Sequence, residues 1–114
     1  LAQIDFMVSP YVRARETLNG ILNAWPTAHS QRVKALQDVR IREQEFGNFD
    51  RPDISQLHKE KSAFGAFYYR FPDGESPADC YDRGTSFLEN LVRTWDPSHH
   101  TCVVVSHGMM IMVM

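Results

Sequence analysis

The sequence predicts an α/β layer structure built on a mostly parallel sheet. Short apolar runs alternate with stretches whose apolar residues recur at helical spacing, as strand–helix units do. Thr101–Val105 is continuous and β-branched, the pattern of a strand covered on both faces of a parallel sheet. Ser-Pro pairs at Ser9-Pro10 and Ser76-Pro77 sit where two of the helices would start.

Taken in order, Ile4–Val8 reads as a short buried strand. Ser9 caps the following helix and Pro10 takes its first position. Ala14, Leu18, Ile21, Leu22 and Trp25 then recur on one face, and Pro26 closes the helix. Thr27–Asp38 is polar and carries no clear pattern. Val39–Arg42 reads as a second short strand. Gly47–Asp53 is a loop rich in Asn, Asp and Pro. Asp53 caps a helix that turns Ile54, Leu57 and Phe64 inward. An aromatic stretch, Phe64–Phe71, leads into the turn Pro72-Asp73-Gly74. Ser76-Pro77-Ala78-Asp79 supplies a capping residue, a proline and an acid in the order of a helix start. Tyr81, Leu88, Leu91, Val92 and Trp95 mark the buried face of that helix, and Asp96-Pro97 ends it. Thr101–Val105 follows, then Ser106-His107-Gly108 and an apolar helix start. No repeat, low-complexity tract or linker divides the chain, so residues 1–114 form one domain.

Composition excludes several classes. The 114 residues carry 12 Lys and Arg against 14 Asp and Glu, a net charge of −2, so this is no bulk electrostatic binder of nucleic acid. Apolar residues at 43% and charged residues at 23% are ordinary for a globular chain and wrong for a disordered one. No apolar run approaches the roughly 18 residues of a membrane span. No basic stretch followed by an apolar one opens the chain as a signal peptide would. Two cysteines, Cys80 and Cys102, are too few for a disulfide framework. They read as buried free thiols in a reducing, cytoplasmic compartment. The chain opens at Leu1 and is apolar to its last residue, Met114, whereas natural termini are usually polar. It therefore reads as an internal piece of a longer protein.

In open parallel sheets, ligands sit beyond the carboxyl ends of the strands. Ser9 with Arg13, and Ser106 with His107, fall at such ends, and Arg40, Arg42 and Glu43 lie at the Val39–Arg42 strand. Together they suggest one site for an anion. Arg13 lies in a first helical turn, where a guanidinium beside free N–H groups suits phosphate oxygens; on residue type alone, a surface arginine is the better reading. His107 follows a buried strand and precedes Gly108, which lets a ligand approach the backbone closely. Its imidazole could donate to an oxyanion or act as acid, base or nucleophile; the bland alternative is a hydrogen-bonded core histidine. Glu43 is either a proton donor to a leaving oxygen or a salt-bridged carboxylate. His99-His100 lacks further ligands at zinc spacing and reads as solvated loop. Phe67, Tyr68, Tyr69 and Phe71 either pack or form a lid, and packing is the simpler reading.

Four segments in order resemble the histidine phosphatase superfamily, also called phosphoglycerate mutase-like. Ser9-Pro10-Tyr11-Val12-Arg13-Ala14-Arg15-Glu16-Thr17 is similar to the family's S-P-x-x-R-A-x-x-T segment. Glu43 with Gly47 is similar to E-x-x-x-G, and Pro72-Asp73-Gly74-Glu75-Ser76 with Arg83 to P-x-G-E-S…R. Val105-Ser106-His107-Gly108 is similar to the second histidine motif. Ile41–Phe49 and the Phe-Tyr-Tyr-Arg-Phe-Pro run resemble a branch of small eukaryotic phosphatases.

The resemblance implies a three-layer αβα fold, here a partial domain truncated at both ends. It implies a phosphoric monoester hydrolase working through a phosphohistidine on small phosphorylated substrates. Arg13, His107 and Gly108 would bind the phosphoryl group, and His107 would count among the catalytic residues with Glu43, the acid and then base. No metal or cofactor is implied, nor a nucleic-acid or membrane partner. Two features depart from the family pattern. The opening R-H-G motif, which supplies the nucleophile and a second arginine, is absent, since no Arg-His pair occurs and His29, His58, His99 and His100 are not followed by Gly. No arginine follows His107 within Met109–Met114. The missing motif is expected on a strand between those ending at Val8 and Val105, so that the chain alone would fold poorly. Glu43 and His107 are close enough in sequence to favour a phosphatase over a mutase. A non-catalytic phosphoester-binding or scaffold protein on the same fold is the second reading. A nucleotide-binding module is disfavoured because no G-x-x-x-x-G-K loop is present.

Overall fold

Gln3–Val8 alternates along its length: Ile4, Phe6 and Val8 are buried and Gln3, Asp5 and Met7 half-buried. That alternation makes it β1, the middle strand of a sheet with unlike faces. In the computed structural model of the chain, which describes residues 3–25, 32–48, 50–98 and 100–114, β1 pairs in parallel with β2 (Arg32–Gln37) and β3 (His100–Val105). The order is β2-β1-β3. Helix α1 (Val12–Asn23) follows β1. A single 3₁₀ turn, Val39–Ile41, follows β2. Helices α2 (Ile54–Phe64) and α3 (Pro77–Thr94) precede β3, and α4 (Gly108–Val113) follows it. The sheet is parallel and its connections are helical, so the predicted α/β class holds.

The α1 face carries the core. Ile4, Phe6, Val8 and Val105 pack on Ala14 and Leu18, with Ile21, Leu22, Trp25 and Val103 at the margin. The Trp25 ring meets Phe6 edge-on with centroids 6.0 Å apart. Each fully buried aliphatic or aromatic side chain contributes about 1.5–3 kcal/mol. The opposite face is more polar: Gln3, Asp5 and Met7 border a cavity of about 340 Å³ whose far wall is Phe87, Leu91 and Trp95 of α3. Helices on both faces make the layering αβα.

Several expectations are corrected. The strand ending at Val8 and the strand ending at Val105 are direct neighbours, in register from Gln3↔His100 to Val8↔Val105. Nothing intervenes, so the interior edges on which poor folding was expected are paired. The second strand lies at Arg32–Gln37 rather than Val39–Arg42. All six of its residues are exposed, and its three apolar ones, Val33, Ala35 and Leu36, form neither a continuous run nor a strict alternation to read. Pro26, expected to close the first helix, and residues 27–31 of the polar stretch after it lie outside the described residues. Ser9 does not cap α1: Tyr11 is the N-cap residue, and Pro10 lies before the helix. Asp53 is the N-cap residue of α2 as expected, but its carboxylate holds Arg51 and makes no capping bond. Phe64, Phe67 and Tyr68 are exposed, and among Phe64–Phe71 only Phe71 is buried. The inner face of α3 is Cys80, Gly84 and Phe87, while Tyr81 and Val92 point outward. The apolar positions of α3 exceed what one stripe can bury, and the stripe centres one position away. His100 opens β3 and faces Asp5 at 3.3 Å; His99 lies outside the described residues. Cys102 is half-buried rather than buried.

The start of α3 is as read. The Ser76 Oγ accepts from the Asp79 N–H at 3.1 Å and the Asp79 carboxylate accepts from the Ser76 N–H at 2.8 Å, a reciprocal capping box. Arg70 adds a two-pronged ion pair to Asp79. These bonds hold the Asp79 carboxyl far below the usual carboxylate range, Arg70 most of all. Ser76→Ala is expected to cost about 1 kcal/mol, read as a lower urea midpoint.

Candidate active site

All three strands run the same way, so their carboxyl ends meet at one edge of the sheet. The ladder extends one step beyond them, with the Ser9 N–H donating to the Val105 carbonyl and the Asp38 N–H to the Val8 carbonyl. Three segments emerge there: Ser9–Arg13, Asp38–Glu43 and Ser106-His107-Gly108.

His107 is the centre of this edge. It is 7% exposed and its Nε2 lies 2.7 Å from the Oγ of Ser9, itself fully buried. Ser9 also accepts from the Tyr11 N–H at 3.3 Å. Its side chain is therefore spent on the imidazole and the local turn, which is why it does not cap the helix. The Tyr11 ring meets the His107 ring edge-on at 5.2 Å, and the Arg13 guanidinium lies over the Tyr11 ring at 5.1 Å. Among the described residues, no group bonds His107 Nδ1 and no carboxylate pairs with Arg13. The imidazole is held below the usual histidine range by burial first and then by the Arg13 charge. The Glu43 carboxylate opposes that shift and Arg83 adds to it. Three charges from three segments thus act on one buried ring, which is neutral near neutral pH.

Glu43 is half-buried, and its Oε1 accepts from the Gln44 N–H at 3.0 Å. No cation pairs with it among the described residues, so the salt-bridged alternative is not what the structure holds. Its segment is tied to the histidine by the Ser106 Oγ, which donates to the Ile41 carbonyl at 2.7 Å. Gly108 opens α4 and is exposed; a Cβ there would meet no protein atom, so the space beside it is open. Arg40 and Arg42 are not at the site. Arg40 holds Asp38 and reaches Ser86 and Asn90, and Arg42 bonds the Val39 carbonyl and lies 3.5 Å from Glu75. Charge alone could not separate these structural arginines from Arg13.

The middle motifs prove to be one built object. Gly47 has φ +73°, and a Cβ on it would overlap the Pro72 carbonyl oxygen. A Cβ on Gly74 would lie 2.7 Å from the Glu45 carbonyl oxygen. Two glycines thus allow the Glu43–Gly47 loop and the Pro72–Ser76 turn to touch backbone to backbone. Gly47→Ala is expected to destabilise by more than about 1 kcal/mol, from left-handed strain plus overlap, and to lower turnover by displacing the Glu43 loop. Urea unfolding and steady-state rates check both effects. Burial alone would raise the Glu75 carboxyl, but hydrogen bonds from Arg83 and the Glu45 N–H, with the charges of Arg83 and Arg42, leave it below the usual range. Sequence reasoning placed Glu75 and Arg83 within a motif but gave neither a task, because the loop they hold lies 30 to 43 residues earlier in the chain.

The family model for the histidine phosphatase superfamily (branch 1) matches residues 1–114. The chain belongs to that superfamily. Two phosphoglycerate mutase-like proteins of Arabidopsis thaliana, AT74H and AT74, are 40% and 42% identical over 94% of this chain. The broad-range acid phosphatase DET1 of Saccharomyces cerevisiae is 31% identical over 92% of it. The chain spans 41%, 36% and 48% of those three relatives. A mycobacterial glucosyl-3-phosphoglycerate phosphatase superposes with a TM-score of 0.63 at 22% identity, over 99% of this chain and 55% of its own. That likeness is one of fold. Three of the four motifs read from the sequence reach this sheet edge, and the fourth, Pro72–Ser76 with Arg83, packs against the Glu43–Gly47 loop. Among the described residues no cluster of three His, Cys, Asp or Glu could hold a metal ion, and no helix is long and apolar enough to cross a membrane.

Proposed function

We propose that the protein containing this chain is a phosphoric monoester hydrolase that works through a phosphohistidine. The observation that carries this reading is the convergence on His107: a buried neutral imidazole fixed by Ser9, with the charges of Arg13 and Glu43 both acting on it. Arg13 donates to the phosphoryl oxygens, and its planar fork suits two of them at once. His107 Nδ1 and the Gly108 N–H, which lies at the start of α4, add donors on the other side. Charge that builds on the transferring group then meets donors already in place. Glu43 protonates the leaving alcohol and afterwards takes a proton from the attacking water.

The nucleophile is a histidine outside residues 1–114. Among the described histidines, His58 is exposed on α2 against Phe71 and His100 faces Asp5 at the far end of β3, so neither shares the edge with His107. Sequence likeness to an acid phosphatase supports hydrolysis over transfer between phosphoglycerates. Cys80 and Cys102 are free, and burial raises both thiols, which suits a reducing, cytoplasmic setting.

The test is to quench the full-length protein during turnover of a ³²P-labelled monoester and look for acid-labile, base-stable label on histidine. The expected result is a labelled enzyme that decays at the rate of phosphate release. Binding of orthovanadate without labelling or turnover would instead favour a non-catalytic phosphoester-binding protein, the reading prompted by the absent R-H-G motif. Transfer between phosphoglycerates faster than hydrolysis would make it a mutase.

A further inference from the structure

Arg83 is an arginine in the middle of α3 with a side chain only 12% exposed, yet it touches none of the groups assigned to the phosphoryl. All of its donors are in use. The Nε donates to Glu75 Oε2 at 3.0 Å and an Nη2 hydrogen to Glu75 Oε1 at 3.0 Å. The Nη1 group donates to the carbonyls of Arg40 at 2.7 Å and Arg42 at 2.8 Å, and Nη2 to the carbonyl of Glu43 at 3.0 Å. One guanidinium therefore grips three carbonyls in a stretch that no strand ladder satisfies, and the last belongs to Glu43 itself.

Glu75 completes the grip. Its Oε1 also accepts from the Glu45 N–H at 2.9 Å, its carbonyl accepts from the Gln44 side chain at 2.8 Å, and its N–H donates to the Glu45 carbonyl at 2.6 Å. The backbone on both sides of Glu43 is thereby fixed to the α3 side of the molecule. The Glu43 side chain itself lies outside this network, and its bond among the described residues is the one from the Gln44 N–H. A plain staple between helix and loop would need one or two such bonds. Here three bonds of one fork-shaped group close on the segment that carries the Glu43 carboxylate, and the other two hold Glu75.

We propose that Arg83, oriented by Glu75, is a positioning residue for Glu43: it sets where the acid stands and so governs protonation of the leaving oxygen. This rests on the reading of Glu43 as the acid. Lysine cannot replace it, because a single ammonium cannot reach three carbonyls and a carboxylate in the geometry of a planar fork. Misplacing a catalytic group by about 1 Å costs roughly 10²-fold in rate. That cost falls on steps that need the proton.

The experiment compares Arg83→Lys, Glu75→Gln, Glu43→Gln and the Glu43→Gln/Arg83→Lys pair in the full-length protein. Each is assayed on an alkyl phosphate, whose leaving group needs a proton, and on p-nitrophenyl phosphate, whose leaving group hardly does. The expected result for R83K is a loss in kcat/KM, which reports the steps up to alcohol release, of about 10²-fold on the alkyl ester and a much smaller one on the aryl ester. E75Q should show the same split more weakly. On the E43Q background, R83K should add no further split. Partial unfolding would lower both rates equally, so equal losses in R83K, or none, overturn the positioning role, as does full additivity with E43Q. If E43Q itself shows no split, the reading of Glu43 as the acid fails first, and this inference falls with it.

Discussion

Arg13→Ala is expected to lower kcat/KM of the full-length protein by about 10²–10³, the usual consequence of removing one donor aimed at developing charge. The variant should fold normally. Arg13 is exposed on the first turn of α1, its guanidinium rests on the Tyr11 ring, and no carboxylate among the described residues depends on it. Exposed substitutions of this kind shift stability by about 0.5 kcal/mol or less. An unchanged urea midpoint beside a collapsed rate would separate chemistry from folding. Arg13→Lys should recover part of the loss, since it keeps the charge but not the fork. Full activity in R13A would place the anion site elsewhere.

Glu43→Gln divides substrates by leaving group. On alkyl phosphates the loss should reach about 10²–10⁴, the range for deleting a general acid. In kcat/KM, which reports the steps up to alcohol release, it should stay below about tenfold on p-nitrophenyl phosphate, because that leaving oxygen departs without a proton. The amide can keep the bond from the Gln44 N–H, so the loop need not move. Stopped-flow release of alcohol and of phosphate would show which half of the cycle suffers.

The features legible in the sequence were those written in local chemistry. The β1 core pattern, the Ser76–Asp79 capping box and the strand before His107 each depend on neighbours a few residues away. So does each of the short motifs that mark the family. Features set by distant partners were not legible. Ser9 looks like a helix cap until His107, ninety-eight positions later, claims its hydroxyl. Arg40, Arg42 and Arg13 are alike as letters, but only the first two meet structural partners. β2 is not legible because Val33, Ala35 and Leu36 form neither a run nor a strict alternation, its place being set by pairing to β1. The expected gap between the strands ending at Val8 and Val105 failed for the same reason, since strand order is a property of the whole sheet.

The sheet edge, then, should hold one tetrahedral or trigonal-bipyramidal oxyanion between a guanidinium and an imidazole. The most direct test is an NMR titration of the full-length protein, ¹⁵N-labelled at arginine and histidine, with orthovanadate. The His107 ring nitrogens and the Arg13 Nε should shift together along one saturation curve that matches inhibition of turnover. Inhibition with either signal unmoved, or with the two saturating at different concentrations, would contradict a shared phosphoryl site.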